Sequence, residues 1–238
     1  MPNLMMIQPG AFGDIITCAP IAKKYHDAGY DVYWPVREMF VELLSRLDYV
    51  KPILLDEREL DDDWLRSDVI KCVQLFENGQ FKYALNLADR GPHSTAELPS
   101  ELPEQTKYRL ANVDFSEKHT LSWSRDVEKE NLLYSELVDS DDEYILAALA
   151  SSDSLTKLPS DIKYKVVLMD RKDGYTIFDW YKLIKNAKVI YAVESSFHCF
   201  IDGIVNEVKC LKYRLPRIPY EWKGTDFWTV SEHWIDMK

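Results

Sequence analysis

Apolar residues fall along this chain in two alternating rhythms, short unbroken runs and longer stretches with apolar side chains three or four positions apart. The first run, Leu4-Met5-Met6-Ile7, ends at Gln8 and passes through Pro9-Gly10-Ala11-Phe12-Gly13-Asp14 into Ile15-Ile16-Thr17-Cys18-Ala19-Pro20-Ile21-Ala22. A run, a glycine-containing turn and an amphipathic stretch read as a buried parallel strand entering a helix. The rhythm continues with strands near 4–8, 31–36, 50–55 and 82–88 and helices near 14–28, 38–47 and 64–77. Tyr30-Asp31-Val32-Tyr33-Trp34 and Lys82-Tyr83-Ala84-Leu85-Asn86-Leu87 are strand-type, whereas Met39, Phe40, Leu43, Leu44 and Leu47 recur at helical spacing. Such alternation calls for a parallel sheet with right-handed crossovers.

Between Asp89 and Lys107 the rhythm fails; Gly91, Pro92, Pro99 and Pro103 among polar residues predict a long loop over the strand ends. An acidic segment with Glu128, Glu130, Glu136, Asp139, Asp141, Asp142 and Glu143 follows, holding a helix and the passage to a second unit. Alternation then resumes, with strands near 143–149, 164–169, 188–193 and 208–213 and helices near 176–186 and 196–205. The simplest account is two successive α/β domains, 1–125 and 126–238, with a cleft between them.

Composition narrows the function classes. A net charge of −11 argues against nucleic acid as a partner, because binding a phosphate backbone needs clustered Lys and Arg. No run is long enough to cross a bilayer, so membrane contact is at most peripheral. No basic region precedes the first apolar run, which therefore does not read as a signal peptide, and a cytoplasmic protein is expected. Cys18, Cys72, Cys199 and Cys210 are far apart, lack metal-ligand spacing and read as small buried hydrophobes in a reducing compartment.

Three places carry candidate chemistry. Asp14 is delivered to the carboxyl end of the first strand, the edge where open α/β sheets bind ligands; it is either a helix N-cap or a catalytic base. Pro20 implies a kinked or irregular helix start if the helix has begun by Asp14. Ala192-Val193-Glu194-Ser195-Ser196-Phe197-His198 follows an apolar strand and opens a helix, reading either as a phosphate site at the helix start or as a serine cap with a packed histidine. In the hydroxyl-rich Ala150-Ser151-Ser152-Asp153-Ser154-Leu155-Thr156-Lys157-Leu158-Pro159, Lys157 is either a point charge for a diphosphate or a solvated lysine. Asp61-Asp62-Asp63 and Asp139 to Asp142 read as solvated loops. Trp222, Phe227, Trp228 and Trp234 read as core rather than a sugar-stacking surface.

Together these segments resemble the ADP-heptose:lipopolysaccharide heptosyltransferases of glycosyltransferase family nine. That family opens with a strand, Gly-Asp, a few apolar residues and Pro, as Gly13-Asp14 and Pro20 do here, and Asp14 falls on its general base. Its second domain carries a small-residue loop with Ser or Thr, then Lys and Pro, which Ser151, Ser152, Lys157 and Pro159 resemble. Glu194-Ser195-Ser196-Phe197-His198 is similar to its donor motif, with Glu194 in place of Asp, Ser196 in place of Gly and one residue fewer before His198. The resemblance implies a GT-B architecture, two Rossmann-like domains with parallel sheets facing across a cleft. It implies an inverting, metal-independent transfer from a nucleotide-diphosphate sugar to a glycan or glycolipid acceptor, with no cofactor. Asp14 would be the base and Gly10, Phe12 and Gly13 the acceptor-side loop. Ser151, Ser152, Lys157, Glu194, Ser195, Ser196 and His198 would hold the donor. The irregular donor motif keeps open a non-catalytic nucleotide- or sugar-binding module of the same fold. An NAD-dependent oxidoreductase is disfavoured, since the first turn has Gly10 and Gly13 but lacks the three-glycine fingerprint.

Overall fold

In the computed structural model, which describes residues 1–55, 64–88, 102–139, 142–151, 155–215 and 233–237, the chain forms two units, Met1–Ser124 and Arg125–Lys238. In the first, β1 (Asn3–Ile7), β2 (Asp31–Val36), β3 (Lys51–Leu54) and β4 (Tyr83–Asn86) form a parallel sheet in the order β3-β2-β1-β4. The apolar run of β1 is buried from Leu4 to Ile7, as a central parallel strand requires. Met5 and Ile7 pack against Leu55, Val69 and Cys72. The helices are α1 (Phe12–Asp27), α2 (Glu38–Ser45), α3 (Trp64–Leu75), which runs into a π turn at Phe76–Gln80, and α4 (Pro103–Leu110).

Helix α1 differs from expectation at its start. Ala11, in extended conformation, is its N-cap, so Asp14 stands at the third helical position and Pro20 lies well inside the helix. The ring of Pro20 removes one backbone hydrogen bond, a cost met here by a face buried from Ile15 to Ala22. Gly29, at φ +92°, ends the helix by donating to the His26 carbonyl at 2.9 Å, a left-handed cap that glycine adopts without strain. The loop expected up to Lys107 is also corrected, because α4 begins at Pro103. Proline is favourable at the first helical position, and Gln105 accepts from the Leu102 amide at 3.1 Å. Residues 89–101, and with them most of that loop, lie outside the described residues, as do Asp61-Asp62-Asp63.

In the second unit β5 (Tyr144–Ala148), β6 (Lys165–Leu168), β7 (Val189–Ala192), β8 (Leu211–Arg214) and β9 (Ile235–Asp236) form a parallel sheet in the order β6-β5-β7-β8-β9. Helix α5 (Val127–Leu137) packs against a 3-10 turn (Ile177–Trp180) and against α6 (Tyr181–Asn186), into which that turn leads, and α7 (Ser196–Gly203) packs against the same turn. The expected strand near 208–213 begins three positions later, after a 3-10 turn at Val205–Glu207, and so ends on Arg214. β9 was not expected. Its Trp234 is buried, in agreement with a core role; Trp222, Phe227 and Trp228 lie outside the described residues. Asp139 and Asp142 pair with Lys165 at the surface, and Asp141 is outside the described residues. None of the four cysteines forms a disulfide; Cys18, Cys72 and Cys199 are buried and Cys210 is partly so.

Each strand order reverses once. In the first unit the chain winds from β1 through β2 to β3 on one side and returns to β4 on the other. In the second it goes from β5 to β6 and then past β5 to β7. At such a switch point the flanking loops diverge and leave a crevice at the carboxyl ends of the strands.

Candidate functional site

At the switch point of the first unit, β1 ends and Gln8, Gly10 and the start of α1 follow. Asp14 is not an N-cap; from the first turn of α1 its Oδ2 accepts the Ala11 amide at 3.3 Å. A carboxylate there also lies in the favourable field of the helix start. Its Oδ1 takes a 2.8 Å ion pair from Nζ of Lys107 on α4, whose side chain is 2% exposed, while 25% of the Asp14 side chain remains open to solvent. The same Nζ donates to Oε1 of buried Gln8 at 3.1 Å. Gln8 is fixed in turn, its amide donating to the Gly10 carbonyl and its backbone carbonyl accepting the indole N–H of Trp34 at 2.7 Å. Gly10 is buried, Gly13 is partly exposed, and the Phe12 ring packs edge-on against Phe40 at 4.8 Å. The sequence drew attention to Asp14 but not to Gln8 or Lys107.

At the switch point of the second unit, the segments after β5 and β7 lie side by side, since Ala148 and Ala192 are in register and the Val193 amide donates to the Ala148 carbonyl at 2.9 Å. Ser151 is partly exposed and Lys157 exposed on the first of these segments, which folds back so that the Thr156 amide reaches the Leu149 carbonyl at 2.9 Å. Ser152 lies outside the described residues. On the second segment Ser195 caps α7, its Oγ accepting the His198 amide at 3.5 Å, and Ser196 is the first residue of the helix. The free amides and partial positive charge of that helix start face the carboxyl edge of the sheet, as an anion site requires. The His198 ring is buried, 4.5 Å from the Trp234 ring, and the Trp234 indole donates to Asp202 at 3.3 Å.

The sequence also missed Arg214, at the carboxyl end of β8. Its guanidinium holds Glu194 (Nη1 to Oε1, 3.2 Å) and Asp236 of β9 (Nε to Oδ1, 2.6 Å), with both Arg214 and Glu194 nearly buried. Glu194 is thereby anchored beside the start of α7. An arginine closing a strand was the available signal, but its partners are 20 positions before it and 22 after it. Among the described residues, no group of three or more His, Cys, Asp and Glu is arranged to hold a metal ion, and no helix is long and apolar enough to cross a membrane.

No protein-family profile matches the chain. No curated protein matches it either. Solved structures do. A family nine glycosyltransferase from Veillonella parvula superposes with a TM-score of 0.66 at 12% identity, over 99% of this chain and 86% of that one. E. coli ADP-heptose lipopolysaccharide heptosyltransferase II gives 0.61 at 13% identity, over 100% and 90%. E. coli heptosyltransferase WaaC, solved with ADP-2-deoxy-2-fluoro heptose, gives 0.57 at 11% identity, over 100% and 93%. At these identities the likeness is one of fold, and the fold is that of the family nine heptosyltransferases, a GT-B pair of Rossmann-like units each built on a parallel sheet.

Proposed function

We propose that this chain is an inverting, metal-independent glycosyltransferase that moves a sugar from a nucleotide-diphosphate sugar to a hydroxyl of a glycan or glycolipid, with Asp14 as the general base. One observation carries the reading: in both units, the residues singled out from sequence stand at the strand-order reversal of a parallel sheet, the ligand-binding edge of such folds. The glycosyltransferase fold of the neighbours supports it.

Each Asp14 oxygen already accepts one hydrogen bond and keeps a further lone pair for an acceptor hydroxyl on its exposed side. As that hydroxyl oxygen bonds to the anomeric carbon from the face opposite the leaving group, its proton passes to Asp14. The bond from the anomeric carbon to the phosphate oxygen breaks, and its electron pair leaves with the nucleoside diphosphate. Lys157, Ser151 and the start of α7 at Ser195 and Ser196 meet the charge that develops there. Glu194, held by Arg214, is a hydrogen-bond acceptor for donor hydroxyls.

The test is release of nucleoside diphosphate from ADP-, UDP- and GDP-linked hexoses and heptoses with an acceptor panel. ADP-heptose comes first, given what WaaC was solved with. Asp14→Asn is expected to lower turnover about 100- to 10,000-fold with unchanged nucleotide affinity, and to lower thermal stability because buried Lys107 loses its carboxylate, so it is assayed at a temperature where it is folded. Full activity of that variant rejects the base. A second reading, a non-catalytic nucleotide- or sugar-binding module, is favoured by the engagement of both Asp14 oxygens. Calorimetric binding of a nucleoside diphosphate with no turnover across the panel would select it.

A further inference from the structure

Lys107 is the most deeply buried lysine among the described residues of the first unit, an ammonium on a short helix with 2% of its side chain exposed. Replacing a buried ion pair with apolar residues is often neutral or stabilising, so the fold itself does not call for a lysine here. An aspartate at the third helical position does not need one either, because the helix field and the Ala11 amide already stabilise it.

The frame around this ammonium is rigid. The Tyr108 hydroxyl donates to the Thr17 carbonyl at 2.9 Å, one turn along α1 from Asp14, and the Tyr25 hydroxyl of α1 donates to the Ala111 carbonyl, just past the end of α4, at 2.9 Å. Two hydrogen bonds thus pin α4 to α1 immediately after Lys107, at Tyr108 and Ala111. Behind the ammonium, Gln8 is locked between Trp34 and Gly10. The carboxylate is therefore gripped through Oδ1 from a fixed direction, and Oδ2, with its longer 3.3 Å contact, is the freer oxygen.

We propose that Lys107, backed by Gln8, is a positioning residue that sets the orientation of the Asp14 carboxylate, so that Oδ2 rather than Oδ1 receives the acceptor hydroxyl. The inference rests on Asp14 being the base. Lys107 is too buried to meet substrate itself and acts through Asp14.

The experiment measures nucleoside diphosphate release from the panel above for the unaltered protein and for Lys107→Met, Lys107→Arg, Lys107→Gln, Asp14→Asn and the Lys107→Met/Asp14→Asn double variant. Lys107→Met is expected to lower kcat about 100-fold, the effect of a catalytic group displaced by about 1 Å. Donor KM and ADP affinity should stay within about twofold, since no donor contact is removed. Lys107→Arg should recover part of kcat, and the double variant should be no slower than Asp14→Asn alone, because the two residues act as a unit. If Lys107→Met does not fold, Lys107→Gln, which retains a neutral donor, takes its place with a smaller loss of kcat. A lysine variant that keeps full kcat, or one that loses donor affinity in step with kcat, overturns the inference while leaving Asp14 in place. Full activity of Asp14→Asn, or no turnover by the unaltered protein, overturns the underlying reading and the inference with it.

Discussion

Taking the protein to about pH 10 is expected to weaken the first unit by about 2 kcal/mol. Three deeply buried groups in the first unit carry this, and partly buried Tyr25, raised by burial as well, adds to it. Cys72 is fully buried among Met5, Ile7, Leu55 and Val69, and burial pushes its thiol from 9.0 up to about 12. The buried hydroxyls of Tyr49 and Tyr108 donate to the carbonyls of Ser122 and Thr17, both at 2.9 Å, and burial raises both phenols above 10.0. A phenolate has no proton to donate. In the unfolded chain these groups ionise near their ordinary values, while in the folded unit they stay neutral. Their contribution is therefore complete below about pH 9 and lost as pH rises, because the unfolded state then holds fewer protons. At about pH 10 the loss is about 1.4 kcal/mol for Cys72 and about 0.4 kcal/mol for each tyrosine. In the second unit Tyr144, which donates to the Leu183 carbonyl at 2.8 Å, loses about 0.4 kcal/mol, and the partly buried Cys210 thiol, also raised by burial, acts in the same direction. Lys212 opposes it: burial lowers its ammonium, so stability rises as pH passes its folded value. The assay is urea unfolding of the whole chain at about pH 7.5 and 10, with peptide-level hydrogen exchange assigning the loss to a unit. Cys72→Ala should shrink the difference between the two pH values by about 1.4 kcal/mol. A total loss below about 0.5 kcal/mol, or one undiminished in Cys72→Ala, refutes the reasoning.

Two further outcomes are expected. Arg214→Met leaves the nearly buried Glu194 without its guanidinium and should cost the second unit about 3 kcal/mol in urea unfolding, more than Asp236→Asn, whose carboxylate is half exposed. Gly29→Ala should lower stability by about 1–2 kcal/mol in thermal melts through backbone strain alone, since an added Cβ would meet nothing within 4 Å.

Where burial and backbone period coincide, the elements were legible in the sequence. The Leu4–Ile7 run, the helical spacing of Phe40, Leu43 and Leu44, and the Val189-Ile190-Tyr191 run each fixed an element within a few positions. β9 was not legible, because two residues ending in an aspartate carry no period, and its register comes from β8. The start of α4 was legible in principle: Pro103 with Gln105 two residues later is a helix-opening signal, masked by the other prolines of that stretch. At the site, the Gly13-Asp14 turn stood out, but the side chain that grips Asp14 did not. Lys107 lies 93 positions from Asp14 on a short polar helix, Pro-Glu-Gln-Thr-Lys-Tyr-Arg-Leu, where a lysine reads as solvated. Its burial comes from packing against α1, a non-local fact that no window of sequence contains. The same holds for Arg214 and its two distant carboxylates.

The Trp34 indole, completely buried, is one hydrogen bond from Gln8 and two from the ammonium that grips Asp14. This makes it an internal spectroscopic reporter. A fluorine label on that ring, resolved from the other six tryptophans by a Trp34→Phe control, registers any rearrangement of the carboxylate from behind, without a dye in the path of a ligand.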